Sequence, residues 1–179
     1  MITPTVNGSP VWTKNSLQVG GRNYLLNSTT FLNWKLGHWT LSDETFRGGA
    51  VIKTSYTHGI EDGVIGYLSE SGKKVLTSFW AKCDVEGASI HYELFGGSAS
   101  TNFSLETEWK YFVCPQGLVQ EDNPQVYFWS NTDGAQISLA LPQTEIGSTP
   151  SDHSLAPEDT QAQIDEINKK LAALTAPQA

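Results

Sequence analysis

Between residues 50 and 141 the chain alternates apolar and polar side chains over short runs, which glycine, asparagine, aspartate and serine separate. This alternation is typical of β-strands, because successive side chains point to opposite faces of a sheet. The clearest runs span residues 50–56, 63–68, 75–82, 89–95, 109–113, 125–129 and 136–141. Their spacing of roughly ten to fifteen residues predicts an all-β sandwich of about eight strands.

The alternation also sorts the strand residues into two sets. One set is mostly apolar and forms the predicted core, which consists of Val75, Thr77, Phe79, Ala81, Ile90, Tyr92, Leu94, Val126, Phe128, Ile137, Leu139 and Leu141. The other set mixes rings, hydroxyls, a carboxylate and an imidazole, and it consists of Leu76, Ser78, Trp80, Lys82, His91, Glu93, Phe95, Tyr127, Trp129, Ser138 and Ala140. We expect this second set to form a solvated face.

The C-terminal part of the chain changes to a helical period. Asp159 and Thr160 provide an N-cap. Apolar residues then follow at spacings of three, four and three, which are heptad positions, at Ile164, Ile167, Leu171 and Leu174. This pattern predicts an amphipathic helix over residues 158–175, followed by a tail over 176–179. The helix either docks on its own domain or acts as a linker and coiled-coil stub that joins copies of the chain.

The length of 179 residues suits one domain with appendages, since it allows one full core and is too short for two ordinary domains. Residues 1–21 are rich in glycine and proline and are predicted to be a lead-in or linker, with one short strand near 11–13. The β-sandwich domain is therefore expected to span residues 22–157.

Charge and hydropathy exclude two classes of partner. The net charge is -8 and the pI is near 4.8, and no cluster of lysine and arginine opposes that average, so a phosphate backbone would be repelled. The first residues lack a basic start followed by an apolar run, and no window of eighteen residues is uninterrupted by polar side chains. We therefore expect no nucleic-acid ligand, no signal peptide and no membrane span.

Two cysteines, Cys83 and Cys114, close two of the predicted strands. They could lie side by side and pair, or they could be buried thiols. Nothing in the sequence marks an oxidising compartment, so reduced thiols are favoured.

The usual catalytic signatures are missing from the chain, including HExxH, GxSxG, CxxC and a phosphate-binding glycine loop. Glycoside hydrolysis needs only two carboxylates, and Glu93, Glu61 and Asp62 are candidates. However, Glu61 and Asp62 lie in a glycine-flanked loop, where solvated turn carboxylates are the simpler interpretation. The four histidines show no spacing typical of metal ligands.

Saccharide binding fits the second set of strand residues better. Sugars combine apolar C–H patches with a rim of hydroxyls, so their sites combine flat rings with planar polar groups. We predict that Trp80, Tyr127 and Trp129 stack on sugar rings. Predicted hydrogen-bonding partners are His91, Glu93, Asn131 and Asp133, and further rim rings are Trp34 and Trp39. The alternative is that these rings pack against the other sheet or a loop.

Five ordered motifs over residues 20–159 carry a family resemblance. They are GGRNYLLNS at 20–28, SFWAK at 78–82, TEWK at 107–110, YFWSN at 127–131, and EIGS at 145–148 continuing to APED at 156–159. Together they resemble carbohydrate-binding modules of tail and baseplate proteins from phages that infect Gram-positive bacteria.

The resemblance implies a jelly-roll β-sandwich with a short C-terminal α-helix and no catalysis. It implies a virion protein, assembled in the bacterial cytoplasm, that attaches a tail tip or baseplate to a host cell-surface saccharide beside neighbouring tail proteins. Related modules hold a structural calcium ion, but no run of Asp and Asn fixes its ligands here, so no cofactor is assigned. A structural spacer that oligomerises through the helix, and a glycan hydrolase, are the competing hypotheses.

Overall fold

The computed structural model describes residues 5–6, 9–10, 21–56, 62–96 and 98–175. Within the predicted lead-in, strand β1 (Thr5–Val6) pairs with β2 (Ser9–Pro10). The predicted short strand near 11–13, the tail at 176–179 and the hydrolase candidate Glu61 lie outside the described residues.

Ten further strands in the described ranges form two antiparallel sheets. One sheet has six strands: β3 (Thr40–Phe46), β4 (Gly49–Thr54), β6 (Lys74–Cys83), β9 (Lys110–Val113), β10 (Gly117–Leu118) and β12 (Ile137–Ile146). The other has four: β5 (Val64–Tyr67), β7 (Ser89–Leu94), β8 (Ala99–Ser104) and β11 (Gln125–Ser130). The predicted jelly-roll β-sandwich with a C-terminal helix is confirmed.

The interior between the sheets is filled by the apolar set of strand residues. Phe79 from one sheet meets Phe128 from the other edge to face, with ring centroids 5.1 Å apart. Burying a side chain of this size contributes roughly 1.5–3 kcal/mol. Three buried hydroxyls in this layer are satisfied, because Tyr92 donates to Thr77 at 2.9 Å and Thr77 shares a bond with Thr144 at 3.0 Å. The predicted core is correct at every position but one.

The exception is Leu141, which lies on the outer face of the six-stranded sheet. The register of β12 against β6 shifts between Ala140 and Gln143, and Leu141 has a positive φ of 47°. This β-bulge adds one residue and turns Ala140 and Leu141 to the same side, where they pack with Trp80 and Phe46. A strict two-residue period cannot register such an insertion, and for that reason the predicted core position was wrong.

Trp34 and Trp39, predicted as rim rings, belong to the core. Their exposed fractions are 7% and 3%. Trp34 lies over Gly66 of β5, where a Cβ atom would come within 2.5 Å of the indole, and its Nε1–H donates to the Leu26 carbonyl at 2.7 Å. Both rings belong to the buried cluster between the sheets and present no open face to a ligand.

The two cysteines are free and buried. The backbone N–H of Cys114 donates to the Thr77 carbonyl at 2.8 Å, and Thr77 lies six residues before Cys83 on β6. They therefore do not lie side by side. Burial raises the pKa of both thiols, so neither is a reactive thiolate.

Helix α1 (Pro157–Thr175) begins one residue before its predicted start. Asp159 accepts a hydrogen bond from the Asn27 backbone at 2.6 Å, and Glu158 pairs with Arg22, so the helix start is tied to the beginning of the sandwich. The heptad residues face solvent, with exposed fractions of 45% for Ile164, 63% for Ile167, 57% for Leu171 and 83% for Leu174. The helix does not dock on its own domain through them. No helix among the described residues combines the length and apolarity needed to cross a bilayer.

Asn23 joins three separate parts of the chain. It is fully buried, and its amide donates to Ser28 and to the Ser154 carbonyl, both at 2.9 Å. Its Oδ1 accepts from the backbone N–H groups of Leu25 and Thr144 at 3.0 and 3.1 Å. One side chain thus links, by hydrogen bonds, the start of the domain, the central strand β12 and the segment before the helix.

We expect Asn23→Ala to lower the free energy of unfolding by about 3 kcal/mol, because it leaves four buried polar groups without their partner. Urea denaturation followed by tryptophan fluorescence measures this loss. Asn123→Ala, at a half-buried site for which no side-chain hydrogen bond is seen, is the control and should stay within about 0.5 kcal/mol of the parent. Equal stabilities for the two variants would contradict the role given to Asn23.

Candidate functional site

The predicted ring-bearing residues are divided between the two outer faces of the sandwich. Trp129 and Tyr127 lie on β11 in the four-stranded sheet, whereas Trp80 lies on β6 in the six-stranded sheet. All three share the outward parity of their strands, but parity does not say to which sheet a strand belongs. The outer face of the four-stranded sheet, which brings together more of the predicted residues, is the candidate site.

A polar and aromatic row crosses this face over β11, β7 and β8. Strand register places Trp129 opposite His91, and His91 opposite Asn102. The Trp129 and His91 rings stack with centroids 3.9 Å apart and an interplanar angle of 20°. His91 Nδ1 lies 2.6 Å from Asn102 Oδ1, and Asn131 links both ends, donating to Asn102 at 2.7 Å and accepting from the Trp129 indole at 3.0 Å.

A second row follows two residues along each strand. Tyr127 faces Glu93 across the register, and both side chains point to the same surface as Trp129. The Tyr127 ring is buried and stacks with Phe95 at 5.8 Å, while its hydroxyl donates to Gln125. Burial raises the pKa of the Tyr127 hydroxyl. Tyr127 therefore offers a polar edge and a rigid support rather than an open ring face.

Three residues of this face were not among the predicted site residues. Asn102 lies on β8, whose small polar sequence gave little alternation, so that strand was not predicted. Gln125 and Tyr67 form a third row, paired across β11 and β5, and Tyr67 is 37% exposed. A signal was present for Tyr67 and Gln125, because both share the outward parity of Tyr127 in predicted strands.

The groups on this face can bind a ligand through hydrogen bonds and ring stacking. Glu93 and Nε2 of His91 accept hydrogen bonds, the amide N–H groups of Asn102 and Asn131 donate, and the half-buried Trp129 supplies a flat apolar surface. Asp62, the described carboxylate of the glycine-flanked loop, pairs with His38 at 3.0 Å. Asp133 is exposed in the turn after Asn131. Within the described ranges, no group of three His, Cys, Asp or Glu side chains could hold a metal ion.

The other outer face carries Trp80 in an aromatic cluster. Phe46 stacks with Trp109 at 4.3 Å and lies 5.2 Å from Trp80. Beside the cluster, Glu44 bridges Lys82 at 2.8 Å and Lys53 at 2.9 Å, and these hydrogen bonds lower the Glu44 pKa to about 2. Since Lys82 also lies over the Trp109 ring at 4.9 Å, the ion pair orders this face.

No protein-family model and no curated protein matches the sequence. Solved structures do match the fold. A candidate sugar-binding protein from Bacteroides thetaiotaomicron is 11% identical with a TM-score of 0.50, covering 70% of this chain and 100% of its own. The C-terminal family 22 carbohydrate-binding module of Clostridium thermocellum Xyn10B is 15% identical with a TM-score of 0.47, covering 72% and 98%. The xylan-binding domain of Paenibacillus barcinonensis Xyn10C is 14% identical with a TM-score of 0.46, covering 72% and 98%.

We expect Glu44→Gln to lower the free energy of unfolding at pH 7 by about 1 kcal/mol, a value reduced for solvent screening of a partly exposed pair. The depressed pKa of Glu44 gives stability that is complete above the ordinary value of 4.5 and is lost as pH falls towards 2. The difference between parent and variant should therefore shrink over that range in urea denaturation. A difference independent of pH would contradict the ion-pair explanation, and Glu108→Gln, at an exposed position, is the control.

Proposed function

We propose that this chain is a non-catalytic saccharide-binding module whose ligand lies across the outer face of the four-stranded sheet. The observation that supports it most strongly is the fixed row of Trp129, His91 and Asn102. The Trp129 ring is held by its stack on His91 and by the bond from its indole to Asn131. A ring that is already held loses little conformational entropy when a sugar stacks on it.

The polar groups around the ring suit hydroxyls. A sugar hydroxyl both donates and accepts, and the face offers acceptors at Glu93 and Nε2 of His91 beside the amide N–H donors of Asn102 and Asn131. These groups occupy two adjacent strand rows, about 7 Å apart, so they contact more than one ring of an extended glycan. Trp129 is the stacking residue, and Glu93 and Asn102 orient the hydroxyls.

Two further arguments support the saccharide as ligand and give the module its setting. The candidate sugar-binding protein from Bacteroides thetaiotaomicron shares this fold. The ordered motifs over 20–159 resemble modules of phage tails. We therefore place this module in the tail tip or baseplate of a virion, beside neighbouring tail proteins, where it recognises a cell-surface polysaccharide of a Gram-positive host. Repetition around a symmetric tail would make millimolar to micromolar single sites, about 4 to 8 kcal/mol each, sufficient for attachment.

Fused to a fluorescent protein, the full chain should decorate cells of a susceptible Gram-positive strain. Trp129→Ala should weaken binding roughly 5- to 150-fold and so reduce that decoration, because it removes a stacking surface that contributes roughly 1–3 kcal/mol. Leu41→Ala removes an exposed apolar side chain from the edge of the opposite sheet and should leave decoration unchanged.

Equal decoration by the parent and by Trp129→Ala would remove this face from the proposal, and no decoration of any host strain would remove the function.

Isolated wall polysaccharide incubated with the chain should release no reducing ends, and release that Glu93→Gln abolishes would instead show a hydrolase. Thermal melting with and without EDTA tests for a structural calcium ion. A fall in melting temperature when EDTA is added would show that the module holds one.

One observation favours a second function, that of a spacer which oligomerises. Helix α1 keeps an apolar stripe at heptad positions, and Ile167 on it is 63% exposed. Stripes of this kind are covered in coiled coils by the same stripe of another copy. Four apolar positions give only two heptads, so we expect a weak association that neighbouring domains or tail proteins would reinforce.

Sedimentation velocity of the full chain at high micromolar concentration should show association that Ile167→Asp abolishes, because the substitution places a charge in the stripe. Ala162→Asp makes the same chemical change on the opposite side of the helix and should preserve association. A monomer at all concentrations would contradict the spacer hypothesis, whereas association without any glycan binding would favour it over the binding module.

A further inference from the structure

The outer face of the six-stranded sheet carries a pocket of about 590 Å³, on the opposite side of the sandwich from Trp129. Its lining combines the rings of Trp80 and Tyr111 with the charged groups of Arg47 and Asp152, and residues 150–153 form one side of it. This volume is within the range of small-molecule sites. None of the residues except Trp80 was a predicted site residue.

Residues 150–154 form one wall of the pocket, and buried side chains from β12 hold this wall in place. The Glu145 carboxylate accepts from the backbone and the hydroxyl of Ser151, and Gln143 accepts from the Ser154 backbone at 2.7 Å. Both anchors are about 1% exposed. The bulge at Leu141 causes this arrangement, since it turns Gln143 and Glu145 outward from the sheet. The wall is therefore fixed before any ligand arrives.

The floor of the pocket is aromatic. Trp80 and Tyr111 lie opposite each other on β6 and β9, with centroids 5.3 Å apart and planes inclined by 44°. Tyr111 is 39% exposed, and Trp80 is backed by Phe46. Two inclined rings of this kind give an apolar concave surface that matches the C–H face of a sugar ring.

Arg47 stands at the mouth of the pocket in an unfavourable backbone conformation. It forms the two-residue turn between β3 and β4 with Gly48, and their φ angles are 48° and 84°. Turns with both central residues at positive φ favour Asn-Gly, and an arginine there is strained. Its guanidinium lies 4.1 Å from the Trp80 ring centroid, and no carboxylate of the described residues forms an ion pair with it. The strained backbone therefore holds a guanidinium over the Trp80 ring with its N–H groups unpaired by any carboxylate of the described residues.

We propose that this pocket is a second saccharide site that takes one neutral pyranose residue, an inference that rests on the proposed function of the module. Trp80 and Tyr111 receive the apolar face of the ring. Arg47 can only donate hydrogen bonds, and the carboxyl oxygens of Asp152 accept them, so the two complement hydroxyls that do both. Their opposite charges also leave the pocket without a preference for an ionic sugar. The module is then bivalent, with one site on each outer face.

The test uses the full chain, labelled with ¹⁵N, and follows the indole N–H signals of Trp80 and Trp129, assigned with Trp→Phe variants. The probes are the methyl pyranosides of glucose, galactose, mannose and N-acetylglucosamine, with sodium glucuronate as the anionic arm. We expect at least one neutral probe to shift the Trp80 signal with a saturating curve. Arg47→Asn should weaken this Kd about tenfold, since it removes a charged hydrogen-bond donor.

Arg47→Asn removes the guanidinium without straining the turn, because asparagine before Gly48 is the residue that such a turn favours. Its melting temperature should equal or exceed that of the parent, so lost binding cannot be a folding defect. Asp152→Asn, which changes the acceptor on the opposite wall, is the second variant and should also weaken the Trp80 response.

The outcomes separate the two proposals. A Trp80 signal that no neutral probe moves, or that only glucuronate moves, would overturn the second site whatever happens at Trp129. A Trp80 response that both variants leave unchanged would also overturn it. A Trp80 response without any effect of probes or wall fragments on Trp129 would support this pocket while removing the four-stranded face from the proposed function.

Discussion

The bulge in β12 is the constraint that decides which side chains of the six-stranded sheet point into the core and which point outward. By inserting one residue between Ala140 and Gln143, it reverses the parity of the second half of the central strand. Before the bulge, Leu139 points inward; after it, Thr144 does, and joins the hydroxyls of the core. Gln143 and Glu145 are turned outward, where they fix residues 150–154. Without the inserted residue, a carboxylate and an amide would enter an apolar interior that has no partners for them.

The two outer faces differ in chemistry because one sheet is partly covered by other segments of the chain and the other is not. The four-stranded sheet keeps its outer side chains upright in rows, linked by stacking and amide bonds from Trp129 to Asn102. On the six-stranded sheet, residues 150–154 after β12 and the hairpin turn at Arg47 lie on either side of Trp80 and form the walls of the pocket. An open row suits an extended chain, whereas a walled pocket suits a single ring.

Much of the fold follows from local alternation, and the site follows only in part. The helix boundary, the all-β class and eleven of twelve core positions were predicted because each depends on neighbours two or three residues away. The grouping of Trp80 with Trp129 failed, since sheet membership is set by pairing between distant strands. Trp34 was misplaced for a similar reason: the space for its ring exists because Gly66, far along the chain, lacks a side chain. Asn102 was missed because its strand is built from small polar residues.

The contacts between the two ends of the sandwich have a mechanical consequence. Arg22 meets Glu158, the backbone of Asn27 meets Asp159, and Tyr24 donates to the Thr144 carbonyl at 2.8 Å. A tensile load transmitted along the polypeptide through this domain would enter and leave at adjoining points, where these bonds are stretched first. None of these three contacts involves strands β7, β8 or β11, so the first bonds to be stretched lie outside the four-stranded sheet.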